Sequence, residues 1–287
     1  MNHKIIEVFG LPGVGKTTFE IDLKKYLKLK NKIVLNRREI IIKYAFTNLK
    51  INFLDYATLF YFKFIEKFKN KYKKNLKNNS VPKNFKKKIK FNNLVSNFLR
   101  DRYIKICKSL FLKYFENNLK DKKIINDLIN KIESKNKNLI TFWIHEMFAA
   151  YYLFTKHKKN VIYLSDEGFN QRYFLILFSK LKKKIFFLKK IYKICPKPDL
   201  CIYLTRSRKI IKKVHKQRKL DQSGIVLSPN QIDKFIKFEK YIYQAFKNDI
   251  KYIKLNNSKK IKLKKILKKN IFNINLDQVQ TSNLYLL

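Results

Sequence analysis

Residues 4–18 read K-I-I-E-V-F-G-L-P-G-V-G-K-T-T, and the choice of fold turns on them. The apolar run Ile5, Ile6, Val8 and Phe9 has the length of a buried strand, and Gly10, Gly13 and Gly15 follow it at once. From Lys16 to about Lys30 the spacing of Phe19, Leu23, Tyr26 and Leu27 is helical. Strand, glycine turn and helix are the setting in which G-x-x-x-x-G-K-[ST] cradles phosphate. Glycines let the backbone curl until successive N–H groups point at phosphate oxygens, and the helix N-terminus adds partial positive charge. Lys16 reaches the outer phosphates and the Thr17 hydroxyl suits Mg²⁺. The pattern assigns Gly10, Gly13, Val14, Gly15, Lys16, Thr17 and Thr18 to a nucleoside triphosphate, with ATP and Mg²⁺ the expected cofactors. The alternative, a chance glycine turn, would have to satisfy every specified position.

Composition weights this reading. The chain has 287 residues, only 5 Gly and 5 Pro, and an abundance of Lys, Ile, Asn, Phe and Tyr typical of AT-rich coding sequence. Three of the five glycines lie in the loop, and the others are Gly168, in S-D-E-G, and Gly224, in a polar segment near Arg218. The formal charge of +47 points toward nucleic acid or an anionic membrane. Lysine supplies nearly all of it, whereas a dedicated nucleic-acid reader uses more arginine, so a solvated lysine surface is favoured and nucleic acid is the lesser partner reading. At 46% hydrophobic residues the chain is able to bury a sizeable core. Cys107, Cys195 and Cys201 lack metal-ligand spacing and suit a reducing cytoplasm, with Cys201 expected in the core. No secretory signal is visible ahead of the first strand. The most membrane-like stretch, Leu139 to Phe154, is interrupted by His145 and Glu146 and reads as a buried helix.

Further strands are expected at Lys32–Asn36, Asn160–Ser165, Asp199–Leu204 and Lys251–Leu255. Helical periodicity marks about Asn52–Lys69, Asn92–Asn118, Asp121–Ser134, Asn138–Lys156, Phe169–Lys183, a stretch ending at Ile194, Arg206–Arg218 and Pro229–Lys247. The lysine- and asparagine-rich Asn70–Lys90 reads as a connection. Alternation of strands and helices predicts an α/β fold with a five-stranded parallel sheet covered on both faces. Residues 1–255 would form the core, with a helical insertion over 40–160, a basic lid-like segment over 206–223 and a tail over 256–287.

Four clusters carry possible chemistry. Asp166 ends an apolar strand, where a carboxylate binds Mg²⁺ or takes the acceptor's proton; a helix cap is the alternative, and the adjoining Glu167 and scarce Gly168 favour function. Arg37, Arg38 and Glu39 follow the second strand, able to clamp an anionic acceptor or to form a surface turn with one ion pair. Arg206, Arg208, Lys212, Lys213, Lys216 and Arg218 are placed to neutralise a triphosphate or to form a solvated helix face, and Arg218 is the preferred phosphate contact. Gln171 and Arg172 fall one turn after Asp166 and either contact the acceptor or lie on a helix surface.

Taken in order, I-I-E-V-F-G-L-P-G-V-G-K-T-T, R-R-E, Y-L-S-D-E-G and P-D-L-C-I-Y-L-T-R-S with its basic sequel resemble the P-loop nucleoside and nucleotide kinases, most closely the thymidylate-kinase-like branch. The resemblance runs from Met1 to about Leu255. It implies a P-loop NTPase fold in which Gly13, Gly15, Lys16 and Thr17 bind ATP and magnesium. It puts Arg38 and Glu39 near the acceptor, Asp166 near metal or acceptor, and Arg218 in a lid. The leading expectation is a phosphotransferase acting on a nucleoside, nucleotide or sugar derivative, with homodimerisation compatible. A nucleic-acid- or partner-linked ATPase is the alternative, because Asp166-Glu167 at a strand end suits water activation. A protein holding nucleotide as a structural ligand is the third.

Overall fold

The computed structural model describes residues 4–47, 52–75, 85–131, 137–157, 161–165, 168–169, 184–220 and 227–256. Its strands are β1 (Lys4–Phe9), β2 (Ile33–Leu35), β3 (Val161–Ser165), β4 (Leu200–Thr205) and β5 (Tyr252–Asn256). They form one parallel five-stranded sheet in the order β2-β3-β1-β4-β5, so the chain is α/β as expected. The described helices are α1 (Lys16–Leu29), α2 (Arg37–Tyr44), α3 (Phe53–Asn75), α4 (Phe85–Tyr114), α5 (Leu119–Lys131), α6 (Lys137–Lys156), α7 (Lys184–Ile194), α8 (Arg208–Leu220) and α9 (Pro229–Phe246).

Two compact units divide the chain, one of residues 1–5 and 32–197, the other of residues 6–31 and 198–287. In the first, β2 and β3 pair in register Ile33 to Val161 and Leu35 to Tyr163. Between them in sequence lie α2 to α6, whose core joins Ile40, Ile41, Leu59, Tyr103, Leu110, Ala149 and Leu153. Small Ala149 and Ala150 on α6 allow close approach, and each is fully buried. The apolar stretch from Leu139 to Phe154 is indeed a helix with a buried face, and Glu146 within it is buried too.

In the second unit β4 pairs with β1 (Val8 to Ile202) and with β5 (Leu204 to Leu255). Phe9, Leu23, Leu27, Leu204, Ile211 and Ile242 fill its interior, and Cys201 lies there as anticipated. α9 starts with a capping box, Ser228 and Gln231 bonding each other's backbone N–H, and Pro229 sits in its first turn.

Two expectations need correction. Arg37, Arg38 and Glu39 open a helix rather than a turn: Asn36 Oδ1 accepts from the Glu39 N–H at 2.9 Å and Glu39 Oε2 accepts from the Asn36 N–H at 2.8 Å. The connection expected over Asn70–Lys90 is narrower, since α3 runs to Asn75 and α4 begins at Phe85. Lysine is a good helix former, so high polarity alone does not end a helix. The helix expected over Phe169–Lys183 and the tail beyond Asn256 lie outside the described residues, apart from Phe169 itself. Removing the α2 cap with Asn36→Ala is expected to lower unfolding free energy by about 1 kcal/mol in denaturant titration, with the slope unchanged.

Candidate functional site

The loop after β1 adopts a conformation few sequences allow. Gly10, Gly13 and Gly15 have φ of 150°, 92° and 93°. A Cβ on Gly10 would stand 2.5 Å from the Leu204 carbonyl oxygen, and one on Gly13 would stand 3.2 Å from Val214 Cγ1. Space and φ together require glycine at position 10; at position 13 the φ is the constraint, and the Val214 side chain would have to give by a few tenths of an ångström. Gly15 is the N-cap of α1, no side chain caps the helix, and no acidic residue stands in its first turn. The positive end of the helix dipole therefore faces the loop with no first-turn carboxylate to offset it. Thr17 and Thr18 are exposed there, Val14 is buried, and the Val14 N–H lies 3.3 Å from the Leu11 carbonyl in a tight turn.

Lys16 folds back over the loop. Its Nζ donates to the carbonyls of Gly10 at 2.5 Å and Leu11 at 3.1 Å. Arg206, just after β4, donates from Nη1 to the Gly13 carbonyl at 3.5 Å, and its buried Nε has no hydrogen-bond partner among the described residues. Two cations thus rest on backbone oxygens of one short loop.

His215 of α8 pins the same loop from another side. Its Nδ1 accepts the Leu227 N–H at 3.1 Å, so Nε2 carries the proton and donates to the Pro12 carbonyl at 3.0 Å. The ring is almost wholly buried.

Glu239 of α9 is the fourth element. It is 3% exposed, hydrogen-bonded by the Tyr203 hydroxyl and the Leu11 N–H, and its Oε1 has no hydrogen-bond partner among the described residues. Burial pushes its carboxyl from an ordinary 4.5 up to about 8, against the opposing pull of Tyr203, the Lys16 charge, the Leu11 N–H and the Lys254 charge. Burial, and after it Glu239, hold the Tyr203 phenol protonated well above its usual range.

In the other unit, Arg37 and Arg38 turn toward a carboxylate. Arg37 Nε lies 2.9 Å from Glu146 Oε2, Arg38 Nε lies 3.8 Å from Glu146 Oε1, and the Tyr103 hydroxyl donates to Oε1 at 3.0 Å. Two guanidinium groups around one carboxylate leave a net positive cluster, with the Arg38 side chain 36% exposed. Glu39 is the α2 capping residue described above, so its carboxylate has a structural task.

Of the residues singled out from sequence, the structure therefore gathers Gly10, Gly13, Gly15, Lys16, Thr17 and Arg206 in one unit, and Arg37 and Arg38 in the other. Asp166, Glu167, Gln171 and Arg172 lie outside the described residues. Arg218 is placed on α8, but its side chain is outside the described set. Among the described residues no group of three His, Cys, Asp or Glu side chains could hold a metal, and no helix is long and apolar enough to cross a membrane. No protein-family model matches the chain, and no curated protein matches its sequence.

Sequence reading missed His215 and Glu239. For Glu239 a signal existed: the buried residues of α9 are Ile232, Phe235, Glu239, Ile242 and Phe246, a stripe at helical spacing with one carboxyl in an apolar position. His215 lay hidden within a lysine run.

Two predictions arise from this geometry. Gly13→Ala should cost about 1–3 kcal/mol in thermal unfolding, through left-handed strain added to the approach of Val214. Glu239 should make the protein lose stability as pH rises from about 4.5 toward 8, because the unfolded chain releases this proton first; below that window its contribution is fully present. Glu239→Gln should remove that component from the curve of stability against pH, and an identical curve in the variant would contradict the assignment.

Proposed function

We propose that this chain is a P-loop phosphotransferase that uses ATP with Mg²⁺ and passes the γ-phosphoryl group to a small acceptor. The observation that carries the reading is the loop itself. Three glycines at positive φ lead into an uncapped helix without a first-turn carboxylate, and a lysine folds over them. Such a loop suits a polyanion, because backbone N–H groups and the helix dipole supply positive potential that water alone would otherwise screen.

Within this reading the side chains have separate tasks. Lys16 exchanges the Gly10 and Leu11 carbonyls for phosphate oxygens, replacing a charge–dipole contact with a charge–charge one. Arg206 brings a second cation to the same loop, and Arg218 of α8 is the further candidate. Thr17, exposed in the first turn, offers the hydroxyl for Mg²⁺, and Asp166 is the carboxylate that the sequence assigns to the metal. A hard cation that keeps several waters needs only one or two such oxygens besides phosphate, so the donor set is adequate. Bound Mg²⁺ would supply charge neutralisation at the phosphates.

The resemblance assigns Arg38 to the acceptor, and the net positive cluster of Arg37 and Arg38 with Glu146 suits an anionic group. Nucleoside monophosphates and sugar phosphates fit this better than neutral nucleosides. The thymidylate-kinase-like resemblance points to the same class.

Transfer of labelled γ-phosphate from MgATP to pools of nucleosides, nucleoside monophosphates and sugars tests the reading. A labelled acceptor is expected, lost by roughly a hundredfold or more in Lys16→Ala with the fold preserved. Release of phosphate to water with every acceptor withheld would instead establish the ATPase that Asp166-Glu167 suits. Unchanged transfer in Lys16→Ala would overturn the mechanism.

A further inference from the structure

α9 buries a carboxyl where its own periodicity calls for an apolar side chain. An apolar residue of similar volume would stabilise the interior at least as well, and a buried carboxyl with an unpaired oxygen carries a desolvation cost of its own. What distinguishes the position is its neighbours. The Leu11 N–H, within the glycine loop, donates to Glu239, and the Leu11 carbonyl on the same residue accepts from Lys16 Nζ. Glu239 thus holds one end of the peptide unit pair on which the lysine rests. The groups facing it are Lys16 from the loop, Tyr203 from β4 and Lys254 from β5, while Tyr243 of its own helix stacks on Tyr203 with ring centroids 5.3 Å apart.

We propose that Glu239 is the positioning residue of the phosphate site: it fixes Leu11 and sets how much of the Lys16 charge a bound triphosphate receives. The proposal rests on the phosphotransferase reading and adds to it a residue that the glycine motif does not contain. With its proton on, Glu239 anchors the loop through Leu11 and Tyr203 and leaves the full lysine charge to the ligand. With its proton off, it becomes an anion beside Lys16 and competes with the phosphates for the same cation. Burial is what holds the proton on; Tyr203, Lys16 and Lys254 favour the anion, and burial outweighs them.

The test is MgATP binding to the full chain by calorimetry between pH 6.5 and 9, with thermal unfolding recorded at each pH, for wild type, Glu239→Gln and Lys16→Ala. At pH 6.5 the wild type and Glu239→Gln are expected to bind within about twofold, because the amide keeps an acceptor for both hydrogen bonds. As pH passes 8, wild-type affinity should fall by roughly tenfold while Glu239→Gln stays level; Lys16 is common to both proteins and does not separate their profiles. Parallel profiles in the two proteins would reduce Glu239 to a core carboxyl and overturn the proposal, leaving the phosphotransferase reading in place. A Lys16→Ala protein that binds like wild type, or a wild type that binds at no pH, would sink that reading and the proposal together. Should Glu239→Gln fail to fold, the wild-type profile still decides, since a flat one contradicts the role.

Discussion

The backbone at Gly10 passes so close to β4 that a single added carbon would stand 2.5 Å from the Leu204 carbonyl oxygen. That approach fixes where the chain leaves the sheet, and the remainder of the loop follows from it. Gly13 must then turn beneath Val214 and His215, and Gly15 must enter α1 at positive φ. Pro12 is tied to His215, Gly13 to Arg206, and Leu11 to Glu239 and Lys16. In a chain with only 5 glycines, spending three on six residues is a strong compositional statement. The contacts that surround the loop come from α8, α9 and β4, all far from it in sequence.

Much of this was readable from the sequence. All five strands were placed to within about two residues, since apolar runs bounded by polar or proline residues have few other readings in an α/β chain. The glycine motif was legible because its chemistry is local: residues 10–17 supply the loop, the helix N-terminus and the lysine together. α2 is harder to see, although Asn36 and Glu39 have capping-box spacing, because R-R-E after a strand suits an anion clamp or a surface turn as well as a first helical turn. The stripe of α9 marks Glu239 as a buried carboxyl, but that it and His215 meet a loop roughly 200 residues away depends on tertiary placement, which no spacing rule reaches. The polar run after α3 misled in the opposite sense, because lysine disguises helix as connection.

The two units handle a buried carboxylate in different ways. Glu146 has two guanidinium groups and a phenol around it, an arrangement that compensates an ionised side chain and leaves a positive remainder. Glu239 has one phenol, one peptide N–H and the charges of Lys16 and Lys254, which do not offset burial, so the proton stays on near neutral pH. Each solution suits the role inferred for its surroundings. A fixed positive cluster attracts an anion irrespective of mild acidity, whereas a neutral acid beside Lys16 keeps the lysine charge available. His145, one residue from Glu146, is held neutral by burial and by Lys108, its pKa pushed down to about 4, so it adds no charge to the Arg37 and Arg38 cluster above that pH.

The scarcity of glycine makes one measurement unusually direct. Labelling glycine alone with ¹⁵N gives a spectrum of at most five amide signals. If the loop is the triphosphate site, addition of MgATP moves the signals of Gly10, Gly13 and Gly15 together, with one shared saturation point, and Lys16→Ala abolishes the response. If those three signals stay where they are while MgATP binds, the phosphate lies elsewhere and the account of this loop is wrong.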